Sequence, residues 1–124
     1  MSIPGLAIAV TCVRVPVLGG HGESVNVETE RSMTVERIRE VLRGAQGICV
    51  LDDPKNGVYP TPQLSADKDE VFVGRIRLDD SVVNGAHLWI VSDNVRKGAA
   101  TNAVQIAEEL VKRQAMNFDP VESW

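Results

Sequence analysis

Apolar residues in this chain change their spacing as it proceeds, and that change limits the fold more than any single residue does. Residues 9–17 (AVTCVRVPV) are β-branched and alternate, which sets Val13, Val15 and Val17 on one strand face with Cys12 and Arg14 on the other. Residues 24–30 alternate too, with Val25 and Val27 turned inward and Asn26 and Glu28 outward. The Gly-rich LGGHGES between them predicts a tight turn, so a hairpin with its corner at His21 is expected. From Thr34 the period lengthens. Val35, Ile38, Val41 and Leu42 share a helical face, Thr34 can cap the start, and Gly44 stops the helix after Arg43.

GICVL at 47–51 predicts a short buried strand, and 71–78 and 86–91 predict two more. Helical spacing closes the chain through Ala99, Ala100, Ala103, Val104, Ala107, Leu110 and Val111, with Asp93 or Asn94 as the cap. Between 52 and 69, Pro54, Asn56-Gly57, Pro60 and Pro62 exclude regular elements, and a structured loop of this length is functional or interfacial. The order strand, strand, helix, strand, strand, strand, helix predicts an α+β fold: a mixed β-sheet with helices packed on one face. No GxGxxG accompanies it, so a doubly wound nucleotide fold is not expected. No linker divides the chain, which is expected to form one domain over 1–114 with a loose tail over 115–124.

Composition removes several function classes. With a formal charge of -4 and scattered acidic residues, the 124-residue chain lacks the basic footprint of a phosphate-backbone binder, so no nucleic-acid partner is expected. Cys12 and Cys49 suit a reduced compartment, and His21 and His87 without CxxC or HExxH spacing give no metal site. The longest apolar stretch, 3–13, is too short to cross a bilayer and runs into Arg14. A cytoplasmic protein without a membrane partner is the expectation.

Two residues stand out chemically. Arg14 lies within a run of valines and must place its guanidinium somewhere polar. A structural ion pair or an exposed edge would satisfy it, and so would a fork-shaped grip on a ligand carboxylate or phosphate. His21 lies seven positions on, between Gly20 and Gly22. Glycines let other groups approach closely, and an imidazole there is either a surface-turn residue or a proton carrier facing a pocket.

Taken together, TCVRVPVLGGHGESVNVE resembles the TCVRVPVxxGHxExVxVE stretch of bacterial aspartate-semialdehyde dehydrogenases. DEVFVGRIRLDD, LWIVSDNVRKGAATNAVQIAEEL and the DDP and YPTP segments of the loop agree in register, so the likeness runs from about Val10 to Leu110. It implies the C-terminal, dimerisation and substrate-binding part of that enzyme, in a fold like the C-terminal domain of the glyceraldehyde-3-phosphate dehydrogenase-like proteins. The enzymes reduce β-aspartyl phosphate to aspartate semialdehyde with NADP(H), releasing phosphate, on the route to lysine, threonine and methionine.

Carried over by position, Arg14 matches the arginine that holds the substrate's α-carboxylate, and His21 matches the acid/base histidine. Asn94 matches the residue whose amide contacts the nicotinamide carboxamide, although a plain helix cap explains its type equally well. The nucleophilic cysteine of the family sits in an upstream Asn-Cys motif absent from this sequence; Cys12 matches a different family cysteine. The phosphate-binding glycine loop is absent as well. The chain alone is therefore expected to be inactive, and a homodimer or higher homo-oligomer is expected. Related acyl-phosphate reductases, such as N-acetyl-glutamyl-phosphate reductase, and a non-catalytic dimerisation module are the alternatives. Arg75 and Arg77 are expected at an interface or in ion pairs, Lys97 as a solvated helix charge, His87 as a satisfied structural histidine, and Trp89 in core or interface.

Overall fold

A computed structural model describes residues 5–116. The strands are β1 (His21–Glu28), β2 (Ile48–Val50), β3 (Val71–Asp79) and β4 (Gly85–Ser92), and they form one mixed sheet in the order β1-β4-β3-β2. β4 runs antiparallel to both β1 and β3, while β2 and β3 are parallel. Helix α1 (Val35–Arg43) follows β1, the single turn α2 (Pro62–Ser65) lies in the 52–69 loop, and α3 (Thr101–Met116) ends the described chain. Ala115 and Met116 of the expected tail still belong to α3, and the rest of that tail lies outside the described residues.

α1 covers one face because its apolar side faces the sheet. Ile38 packs with Val73, Ile76 and Ala86, and Val27, Leu42, Ile48, Val50, Leu88 and Ile90 close around them. Thr34 caps this helix as expected, its hydroxyl accepting from Arg37 N–H at 3.2 Å. The opposite face buries Phe72 and Val91, and there the proline loop approaches: Trp89 Nε1 donates to the Pro60 carbonyl at 2.9 Å. The loop is fastened at its start by Asp52, whose side chain is only 2% exposed. It accepts from Arg39 of α1 and from the backbone N–H of Ile76, at the point where β3 shifts register between Gly74 and Arg77.

One expectation is corrected. Residues 9–17 are exposed and form no strand; among the described residues no ladder pairs with them, so the expected first hairpin does not form. β1 begins at His21 instead, and the partner it finds is β4. Of the two settings expected for Arg75 and Arg77, an interface or ion pairs, the ion pair does not form among the described residues. Arg75 takes a left-handed backbone (φ 51°) at the register shift and lays its guanidinium 5.2 Å from the Tyr59 ring centre.

Candidate functional site

The site grows from the end of the β1–β4 ladder. The last pair is His21 with Ser92, and beyond it β4 turns away into a helix. Asp93 caps that helix: one carboxylate oxygen accepts from Val95 N–H (2.8 Å) and Arg96 N–H (2.9 Å). The other accepts from Asp67 N–H at 2.9 Å and so ties the helix start to the proline loop. These bonds, from Arg96 first and then Asp67, hold the Asp93 carboxyl below the ordinary aspartate range. Sequence left the cap open between Asp93 and Asn94. Asp93 takes it, and the Asn94 amide is left for other work.

That amide reaches across to the glycine turn. Gly20 N–H donates to Asn94 Oδ1 at 3.0 Å. Gly20 is buried and left-handed (φ 82°), and a Cβ there would come within 3.0 Å of both the Pro62 carbonyl and Ser65 Oγ. Only glycine fits that conformation against α2 without strain. On the other side of His21, Gly22 lies flat under Trp89, where a Cβ would stand 2.6 Å from the indole ring. His21 itself is exposed, held between two packed glycines.

His21 and Asn94 are thus brought together through Gly20. Arg14 is placed in the exposed extended segment, and no hydrogen bond or ion pair among the described residues joins it to them. Two surface hollows lie elsewhere, one lined by Met33, Leu78, Asp79 and Gly85, the other by Arg39, Arg43, Asp52 and Lys55. The described residues contain no group of His, Cys, Asp and Glu able to hold a metal. They also contain no helix long and apolar enough to cross a membrane. Cys12 is exposed and free.

His87 is a structural histidine, with Nε2 3.2 Å from Asp79 Oδ2 and Nδ1 3.3 Å from Asn26 Nδ2. Lys97 donates to Gln105 rather than only to solvent. Reasoning from sequence missed Arg96, whose guanidinium grips Asp69 with two bonds (2.7 and 3.1 Å) while Thr101 joins the same carboxylate. It also missed the wide turn of Arg96–Ala100, where N–H groups bond five residues back; a Gly-Ala-Ala run after a cap is its only sequence trace.

The family model for the semialdehyde dehydrogenase dimerisation domain matches residues 1–97. The aspartate-semialdehyde dehydrogenase of Aquifex aeolicus is 54% identical over 107 residues, 86% of this chain and 32% of that protein. The Bacillus subtilis enzyme is 52% identical over 113 residues, 90% of this chain and 33% of that protein. A crystal structure of aspartate semialdehyde dehydrogenase II of Vibrio cholerae complexed with ASA matches with a TM-score of 0.75 and 50% identity, covering 82% of this chain and 30% of that one. The chain therefore spans about a third of the length of the relatives it matches.

Proposed function

Because the chain belongs to the semialdehyde dehydrogenase dimerisation-domain family, we propose that it is the substrate-holding and proton-handling part of an NADP-dependent aspartate-semialdehyde dehydrogenase. Residues 1–114 serve as part of its dimerisation domain. The complete protein acts in the cytoplasm as a homodimer or larger homo-oligomer and reduces β-aspartyl phosphate to aspartate semialdehyde and phosphate. Half-identity sustained over nine-tenths of the chain is the observation that carries this reading.

Each residue has a part its chemistry suits. The Arg14 guanidinium is exposed and free of ion pairs among the described residues, as a clamp for the substrate α-carboxylate must be. The His21 imidazole moves the proton at the carbonyl oxygen of the reacting carbon. The Asn94 amide suits the nicotinamide end of the cofactor: with its oxygen on Gly20, its NH2 group is left for a carboxamide oxygen. NADPH, when bound, supplies the hydride. No glycine-rich phosphate cradle of the P-loop or dinucleotide type accompanies Asn94 in the sequence, so the rest of the cofactor and the attacking thiolate belong to the other two-thirds of the protein.

Mixing the purified chain with the complementary N-terminal part of the Bacillus subtilis relative tests the reading. The chain alone should show no turnover of aspartyl phosphate with NADPH, and the soluble mixture should recover it. His21→Asn should then lower recovered turnover by about 10²–10⁴-fold, the size of a general acid/base contribution. Arg14→Lys should chiefly raise KM. Turnover by the chain alone, or a soluble complex without turnover, would refute the proposal.

A further inference from the structure

The β1–β4 ladder ends at His21 opposite Ser92, and the next rung is made by a side chain. Where β4 bends into its helix, the Asp93 carbonyl accepts from Gly98 N–H at 3.1 Å, and Gly20 N–H donates to Asn94 Oδ1 at 3.0 Å. A backbone N–H can only donate, so this bond also fixes which end of the amide faces the turn. Behind it, Asp93 holds the start of the helix with three backbone N–H groups, one of them from the proline loop. In front of it, Gly20 is pressed on Pro62 and Ser65, with Ser65 Oγ donating to the Pro62 carbonyl at 2.9 Å. This bond joins the glycine turn to the helix start, and the Asp93–Asp67 bond with the packing of Gly20 brings the proline loop to both.

We propose that Asn94 is a positioning residue for His21, acting through the Gly20 amide: its side-chain oxygen completes the ladder and fixes the direction in which the histidine leaves the turn. Ligand contact and histidine placement are then two duties of one amide, NH2 outward and oxygen inward. The catalytic meaning of this link rests on the reading of His21 as an acid/base; the link itself does not, and is tested without turnover.

Hydrogen exchange and NMR of the intact chain give the test. In the wild type, Gly20 N–H should exchange at least tenfold more slowly than Gly19 N–H beside it, and the His21 ring should give one sharp set of signals. Asn94→Ala should remove the Gly20 protection and broaden or shift the His21 ring signals, while those of His87 and the amides of Val73 and Val91 stay in place. Asn94→Asp keeps an acceptor oxygen and should restore both signatures. Rapid Gly20 exchange in the wild type overturns the proposal, and this arm holds even if Asn94→Ala does not fold. So does an unchanged His21 signal in a folded Asn94→Ala, or failure of Asn94→Asp to restore it. If these signatures appear but the mixed protein in the preceding section shows no turnover, the functional reading falls and the positioning role stands.

Discussion

Trp89 shows what a single side chain can settle here. Its indole N–H bonds the carbonyl of buried Pro60, and its ring lies on Gly22, one residue from His21. Trp89→Phe keeps most of the ring but leaves that carbonyl without its donor, which should cost about 1–3 kcal/mol. Urea unfolding would read this as a lower midpoint with an unchanged slope, and an unshifted midpoint would show that the bond adds nothing. Legibility at this scale was uneven. His21 between glycines announced a turn, but nothing in LGGHGES says that Gly20 is buried or that its amide is held by a residue 74 positions away. Type alone could not divide Asp93 from Asn94, because either can cap a helix; which one does depends on where β4 ends.

At the scale of elements, what was local was legible. α1 starts and stops where Thr34 and Gly44 put it, and β3 and β4 lie within a residue of their expected bounds, because caps and alternation are carried by the segment itself. Residues 9–17 failed for the opposite reason. Valine favours a strand by packing against neighbours, and no strand among the described residues stands beside this one. The register shift at Arg75 was equally hidden, since its support is Asp52 on another element.

The junction between loop and α3 yields a pH prediction. The Asp93 carboxyl sits below its ordinary value of 3.8, through the N–H of Arg96 and then that of Asp67, so it ionises more readily folded than unfolded. It stabilises the fold above that value, and the contribution disappears as pH falls through the lower folded value. Asp93→Asn should be less stable than wild type at neutral pH, with the gap closing in acid below 3.8. Thermal unfolding across that range checks it; a gap that persists in acid would place the cause elsewhere.

At the scale of the whole molecule, large apolar side chains stand exposed in two stretches of the described residues. Leu6, Ile8, Val10, Val13 and Val15 are exposed at one end, and Val104, Ile106, Leu110 and Val111 along α3 at the other. Such surface drives association, so the chain should sediment as oligomers at micromolar concentration. Ile106→Glu with Leu110→Glu should shift it toward monomer; a wild-type chain already monomeric would contradict this. The exposed apolar residues of α3 lie on two faces of the helix, Val104 with Val111 and Ile106 with Leu110. The direction in which each face looks is set upstream, at the wide turn where Gly98 and Ala100 bond back to Asp93 and Val95. That turn holds one residue more than an α-helical turn. Deleting a single residue there would swing every later side chain by about 100° and draw the rod back by about 1.5 Å. The loosened coil is thus an azimuth setting: its residue count, more than the identity of any side chain in it, decides which neighbour α3 can meet.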